Sequence, residues 1–212
     1  MSGPLCVGLD FDNTIVTYDR VFHKHAVSRG WIAPETPALK SAVRDAIRKN
    51  RGNDDWTGLQ AFVYGEAMGE AEMAEGLGAF LEWAVRRKAR LFVISHKTAL
   101  AAAAGPPVDL RTPAENWLRA HDFFSEDFLN LAMGEQVFFE ETREGKFSRI
   151  ASLGLTHFID DLPEFLLDPA FPKGIERIYY NPGWLETEEA AVKNFGSWNE
   201  IRKYFKLIAD GR

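Results

Sequence analysis

A short apolar segment that ends in two acids constrains this chain more than any other feature. Residues 5–9 form an apolar run typical of a buried strand, and Asp10 and Asp12 follow it directly. Open α/β sheets bind their ligands at the carboxyl ends of such strands. Because two carboxylates this close need a cation or a proton between them, the pattern indicates a chemical site.

Apolar runs of this kind recur along the chain, with helical patterns between them. The further predicted strands are 91–94, 137–139, 156–159 and 175–180. Alternating strands and helices predict an α/β fold, with a doubly wound, Rossmann-like, mostly parallel sheet and helices on both faces. Thr112 followed by Pro113, and Thr36 followed by Pro37, are helix-start signals that predict where two helices begin.

The first crossover is too long for a simple strand-helix-strand unit. About 80 residues separate Asp12 from the second predicted strand, where a dozen or more would suffice. We expect residues 18–75 to be a small α-helical cap over a core formed by 1–17 and 76–212, and to act as a lid. Cap residues such as His23, Trp56 and Tyr64 are candidates either for substrate contact or for packing.

The composition is that of an ordinary soluble globular protein and disfavours few kinds of partner. The 212 residues are 46% hydrophobic and 26% charged, with a net charge of −6, which disfavours nucleic acid as the main partner. Cys6 is the single cysteine, so an internal disulfide is impossible and a reduced, cytoplasmic setting is expected. No apolar run approaches membrane-spanning length, so no membrane partner is expected, and the oligomeric state is left open.

Three further features fall where a site at the strand ends would need them. Ser95 ends the second predicted strand, where it is either a phosphoryl contact or the N-cap of a following helix. Lys146 precedes a predicted helix, and Asp160 and Asp161 end the strand after it. A strand that runs directly into paired acids thus occurs twice in the chain.

Electrostatics decide how such a cluster of acids can be tolerated. Two carboxylates about 4 Å apart repel by about 4 kcal/mol at an effective dielectric of 20, against a typical fold stability of about 5–15 kcal/mol. A divalent cation and a nearby ammonium would relieve this repulsion. Oxygen ligands alone, without Cys or His at metal-binding spacing, indicate Mg²⁺ rather than zinc.

Taken together, these segments resemble the four motifs of the haloacid dehalogenase-like superfamily of phosphohydrolases. Asp10-Phe11-Asp12-Asn13-Thr14 resembles the first motif, Ser95 the second, Lys146 the third and Asp160-Asp161 the fourth, in the family's order. The resemblance implies that the strand of the first motif is central, with the strands of the second and fourth on either side. It also implies that the helical insertion corresponds to the family's cap.

The resemblance further implies a role for each of these residues. Asp10 would be the nucleophile that forms an aspartyl-phosphate, and Asp12 the general acid and then base. Asp10, the Asp12 carbonyl and Asp161 would hold Mg²⁺, with Asp160 beside them. The phosphoryl oxygens would be bound by three further residues, namely Thr14, Ser95 and Lys146. Arg111 is a candidate for gripping a second anionic group of the substrate, or for a surface ion pair.

The expected function is therefore Mg²⁺-dependent hydrolysis of a phosphomonoester of a small metabolite. Both sugar phosphates and nucleoside monophosphates are open as substrates. The resemblance leaves two alternatives: a non-catalytic binding or regulatory protein on the same fold, and a phosphotransferase or mutase that uses the same aspartyl-phosphate chemistry. The presence of Asp12 favours a phosphatase over a dehalogenase, because the dehalogenases lack that second acid.

Overall fold

The computed structural model describes residues 4–101, 107–183 and 191–211. Its strands are β1 (Cys6–Leu9), β2 (Val16–Thr17), β3 (Glu72–Met73), β4 (Arg90–His96), β5 (Leu100–Ala101), β6 (Val108–Asp109), β7 (Val137–Glu140), β8 (His157–Asp160), β9 (Glu176–Tyr180) and β10 (Lys193–Phe195). Its α-helices are α1 (Asp19–Ser28), α2 (Lys40–Asn50), α3 (Asn53–Tyr64), α4 (Leu77–Arg86), α5 (Arg111–Ala120), α6 (Arg143–Ser152), α7 (Pro163–Leu166) and α8 (Trp198–Asp210). A 3₁₀ helix spans Met68–Glu70.

The described residues divide into two compact units. The first unit contains residues 1–16, 73–96 and 122–212, and the second contains residues 17–72 and 97–121. The division differs from the predicted domains mainly in residues 97–121, which group with the helical unit and not with the core; residue 17 and residues 73–75 also change unit. Among the helices of the described residues, none has the length and apolarity that crossing a bilayer requires.

A parallel sheet forms the centre of the first unit, as predicted. Its strand order is β10-β9-β8-β1-β4-β7, and every pairing in it is parallel. The strand that precedes Asp10 is therefore central, with the strands that carry Ser95 and Asp160 on either side, as the resemblance implied. The edge strand β10 was not predicted, because Lys193-Asn194-Phe195 has no apolar run.

Helices cover both faces of this sheet. Neighbouring residues of a strand point to opposite faces, so Phe158 and His157 of β8 mark the two sides. Phe158 belongs to a buried cluster that contains residues of α6 and α7, while the His157 ring lies 4.8 Å from that of Phe205 in α8. Gly8 lets β1 approach this cluster, because a Cβ there would meet the Phe158 ring at 2.5 Å.

The second unit is built mainly from helices around aromatic side chains. Phe22 of α1 stacks on Trp56 of α3, with ring centroids 5.0 Å apart. Segment 97–121 is tied to the rest of the unit where Trp117 of α5 donates its indole N–H to the Ala71 carbonyl at 2.8 Å. Gly65 allows a second close approach, because a Cβ there would lie 2.5 Å from the Val108 side chain.

Two predicted helix starts are wrong. The helix expected from Thr36-Pro37 begins at Lys40, whose backbone N–H donates to the Asp19 carboxylate at 2.7 Å. The helix expected from Thr112 begins at Arg111, because the Asp109 carboxylate accepts the N–H groups of residues 111 and 112. In both places an acid outside the predicted signal satisfies the free amides of the first turn.

Candidate active site

The carboxyl ends of β1 and β8 bring two acids together. The strands pair with Leu9 opposite Ile159, and the Asp10 N–H donates to the Ile159 carbonyl at 2.9 Å. Asp10 and Asp160 each follow these paired residues, so they are neighbours at one edge of the sheet. Asp160 is fully buried and Asp10 is 6% exposed. Burial of two acids in contact requires a compensating positive charge.

Lys146 supplies that charge from the first turn of α6. Its Nζ lies 2.6 Å from Asp10 Oδ1 and 2.7 Å from Asp160 Oδ2, and its side chain is buried. The prediction that Lys146 precedes the helix is wrong: α6 begins at Arg143, after Thr142, whose hydroxyl accepts the Gly145 N–H. This N-cap fixes the first turn and so helps to orient Lys146 toward the two acids.

The pKa values of these groups follow from their burial and mutual contact. Burial raises the pKa of Asp10 to about 7; the Lys146 ammonium opposes this rise and the Asp160 carboxylate adds to it. Burial by itself lowers the pKa of Lys146, but the Asp10 and Asp160 carboxylates outweigh it and hold that pKa above its ordinary value. Lys146 is therefore a permanent cation between the two acids.

Asp161 completes a group of acids with the chemistry of a metal site. Asp10, Asp160 and Asp161 each place a carboxylate oxygen within 4.8 Å of the others. Three carboxylates against one ammonium leave excess negative charge, and hard oxygen donors suit Mg²⁺ or Ca²⁺. The residues therefore fit a divalent cation. Asp160 has both oxygens engaged, since Oδ2 accepts from Lys146 and Oδ1 accepts from the Leu162 N–H at 2.9 Å.

The other predicted residues of the first motif lie in a tight turn after β1. The N–H groups of Ile15 and Val16 both donate to the Phe11 carbonyl, and Asn13 takes a φ of 58°, which asparagine tolerates better than most residues. Asp12 is half-buried in this turn. Thr14 is fully buried, and its hydroxyl has no hydrogen-bond partner among the described residues.

Ser95 is also at the carboxyl edge, but the element after it is not a helix. β4 continues to His96, and Ser95 is buried and pairs with Phe139 of β7. Among the described residues the next helix begins at Arg111, and residues 96–101 are not helical, so Ser95 is not a helix N-cap and that alternative is wrong. The short strands β5 and β6, which pair with each other, precede that helix within the part of the chain described.

Arg111 and the three cap candidates belong to the second unit. Arg111 opens α5, and its Nε donates to the Lys97 carbonyl at 3.0 Å. Trp56 is buried against Phe22 and is a packing residue. Two cations lie near the Tyr64 ring, namely Lys97 and Lys40, with Nζ 5.3 and 5.5 Å from its centroid.

His23 is half-buried, and its Nε2 has no hydrogen-bond partner among the residues that the structure describes.

The site also includes a residue that was not predicted from the sequence. Phe165 of α7 presents its ring to Lys146, with Nζ 4.2 Å from the ring centroid. No local pattern in the sequence indicates this contact.

The sequence matches no protein-family model and no curated relative. Solved structures do resemble this one. A hydrolase of the haloacid dehalogenase (HAD) family from Deinococcus radiodurans, with bound phosphate and sodium, has a TM-score of 0.59 at 14% identity, over 97% of each chain. Protein Tyrosine Kinase A of Mycobacterium tuberculosis has 0.60 at 17%, over 95% of this chain and 97% of its own. A predicted phosphatase from Clostridium acetobutylicum has 0.56 at 14%, over 97% of this chain and all of its own. The chain therefore has the haloacid dehalogenase-like fold.

Proposed function

We propose that this protein is a Mg²⁺-dependent phosphatase that hydrolyses a phosphomonoester of a small metabolite. The observation that carries the proposal is the buried Lys146 ammonium, held 2.6 Å from Asp10 and 2.7 Å from Asp160 at the carboxyl edge of the sheet. Buried charges of this kind contribute little to the stability of a fold, so their presence supports a chemical role. The solved hydrolases of similar fold support the same class of reaction.

Asp10 is the proposed nucleophile. One of its carboxylate oxygens attacks phosphorus, a new P–O bond forms to Asp10, and the bond from phosphorus to the ester oxygen breaks. Lys146 keeps Asp10 in contact with a positive charge, which favours the carboxylate form that attack requires. The product of this half-reaction is an aspartyl-phosphate on Asp10 and a free alcohol.

Asp12 is the proposed proton carrier. As a carboxylic acid it donates its proton to the departing alkoxide, so that the alcohol leaves neutral. Its carboxylate then accepts a proton from a water molecule whose oxygen attacks the phosphorus. The bond to Asp10 breaks, inorganic phosphate leaves, and both acids return to their starting forms. Its half-buried position in the turn is compatible with contact to both alcohol and water.

Thr14 and Ser95 are the proposed contacts of the phosphoryl oxygens, together with Lys146. The fully buried Thr14 hydroxyl lacks a partner among the described residues, and a hydrogen bond to a bound phosphoryl group would satisfy it.

The proposed metal ligands are Asp10, the Asp12 carbonyl and Asp161, with Asp160 beside them. Both Asp160 oxygens already accept hydrogen bonds from protein, so Asp160 is proposed to lie beside the metal rather than to bind it directly. When bound, Mg²⁺ would neutralise negative charge around the phosphoryl group.

We further propose that the second unit selects the substrate as a cap. Arg111 is the proposed contact for a second anionic group of the substrate. The cap role rests on the chain order, because residues 17–72 are inserted between β1 and β4 of the first unit and carry their own aromatic core.

Released phosphate from a panel of phosphorylated metabolites is the direct test. Purified protein with Mg²⁺ should hydrolyse at least one sugar phosphate or nucleoside monophosphate, and a chelator should abolish the release. Asp10→Asn serves as the matched control, because it removes the nucleophile while keeping size and hydrogen bonding. No release from any metabolite, nor from an aryl phosphate, would refute the proposal.

A further inference from the structure

Two aromatic rings lie close to the Lys146 ammonium, in addition to the two carboxylates that it contacts. Its Nζ lies 4.2 Å from the ring centroid of Phe165 and 5.3 Å from that of Phe158. Both distances fall within the range of about 6 Å in which a ring face attracts a cation. Phe165 is the closer of the two rings, and it follows the acid pair 160–161 by only four residues.

The Phe165 ring is itself held in place. It is buried at 4% exposure and stacks on Phe147, with centroids 4.6 Å apart and planes inclined by 19°. Phe171 meets it edge to face at 5.9 Å. A ring packed on several sides cannot turn its face away from the ammonium without disturbing the core, so it is a fixed partner for a flexible side chain.

Lysine needs such a partner because its ammonium is a point charge on a flexible stem. The Asp10 and Asp160 oxygens accept two of its hydrogen bonds, at 2.6 and 2.7 Å. A carboxylate pair alone fixes Nζ in two directions. The electron-rich face of Phe165, with its centroid 4.2 Å from Nζ, adds a third attraction to those of the two carboxylates.

We propose that Phe165 is a positioning residue for the reaction, acting through a cation–π contact that holds Lys146 between Asp10 and Asp160. The inference rests on the proposed phosphatase function for its effect on turnover, while the contact itself does not. Weakening the ring face should let Lys146 shift from Asp10 and lower kcat. KM should change little, because Phe165 acts on the lysine rather than on substrate.

Progressive fluorination of the ring provides the test, since fluorine drains the ring face of negative charge with little change in shape. Phe165 is replaced by 4-fluoro-, 3,4-difluoro- and 3,4,5-trifluorophenylalanine, and kcat and KM are measured on the substrate found in the metabolite panel. We expect kcat to fall stepwise, by about 2- to 30-fold at the third member, in line with the strength of cation–π contacts. A kcat independent of fluorination would overturn the proposal.

Phe171 is the matched control position, because it belongs to the same aromatic cluster and is 2% exposed. The same fluorinated series at Phe171 should leave kcat unchanged within about twofold. An equal stepwise loss at both positions would show a general packing effect and would overturn the assignment to Phe165.

Thermal unfolding in the absence of substrate separates this proposal from the proposed function. Fluorination at Phe165 should lower Tm stepwise in the native protein and give a clearly smaller slope in a Lys146→Met background, where the Arg143 guanidinium, 5.5 Å from the same centroid, is the cation that remains. If no metabolite is hydrolysed, the phosphatase proposal fails, but the Tm series still tests whether Phe165 and Lys146 make a cation–π contact. Equal Tm slopes in the two backgrounds would overturn the contact, whatever the activity.

Discussion

The two units of this protein handle charge in different ways. In the first unit, Lys146 is buried with Asp10 and Asp160, and its ammonium contacts their carboxylates at 2.6 and 2.7 Å. Among the described residues of the second unit, most ion pairs join exposed side chains, such as Arg20 with Glu72 at 79% and 53% side-chain exposure. Exposed pairs contribute about 0–1 kcal/mol, whereas losing one partner of a buried pair costs about 3–5 kcal/mol.

This difference between buried and exposed charges shows which parts of each unit can change in sequence at small cost. Losing one member of a buried charge cluster is costly, so the strand ends of the first unit have little freedom to change. The second unit is stabilised mainly by aromatic packing, such as Phe22 on Trp56 and Tyr18 on Tyr64 at 4.8 Å. Its surface charges can therefore change at small cost, which suits a unit that we propose selects among substrates.

The largest expected effect comes from removing part of the second unit. Replacing residues 18–75 alone by a short linker should give insoluble protein, because segment 97–121 would lose the partners of Trp117 and of its other buried side chains. Replacing both 18–72 and 97–121 should leave a folded core. Circular dichroism and gel filtration would measure the outcome, and a soluble, cooperatively folding first deletion would contradict the two-segment unit.

Asp10→Asn tests the buried acid of the first unit. Loss of the attacking carboxylate should lower the rate of phosphate release by about 10⁴-fold or more, as expected for a nucleophile. Asp19→Asn in the second unit is the matched control, because Asp19 accepts the Lys40 N–H and caps α2. That variant should keep its activity within a few-fold. Similar losses in both variants would remove the distinction between the units.

Much of the first unit was predictable because its strands are local apolar runs. All five predicted strands exist, and the acids that end β1 and β8 lie together because parallel pairing fixes their register. The assignment of 97–121 depends instead on a contact between Trp117 and Ala71, which are 46 residues apart. Likewise, the place of Phe165 over Lys146 depends on how α6 and α7 pack, and no local pattern encodes that.

Asp12→Asn tests the half-buried acid beside Asp10. Proton transfer contributes about 10²–10⁴-fold, so the loss should be large for an alkyl ester and smaller for an aryl phosphate, whose leaving group departs without a proton. Rapid quench followed by intact mass measurement should also detect aspartyl-phosphate on Asp10, because its hydrolysis needs Asp12. Equal losses for both leaving groups, with no label on Asp10, would refute the proposed roles.

The smallest effect is expected at Asp109, an acid of the second unit with a structural role. Its carboxylate accepts the N–H groups of Arg111 and Thr112 at 2.9 and 3.1 Å. Asp109→Ala should therefore lower the unfolding free energy by about 0.5–2 kcal/mol, as for other helix caps. The hydrogen bonds with Thr112 lower the pKa of Asp109 below its ordinary value, since they outweigh its slight burial. A lowered pKa means that the folded state binds this proton less tightly than the unfolded state does. Its stabilising contribution is therefore complete above the ordinary aspartate pKa of about 4 and is lost as the pH falls through the lower pKa of the folded state. The difference in unfolding free energy between Asp109→Ala and the unchanged protein, measured by urea titration, should be constant near pH 7 and shrink below pH ~4. A difference that stays constant through this acid range would show that the charge of Asp109 contributes nothing to the cap.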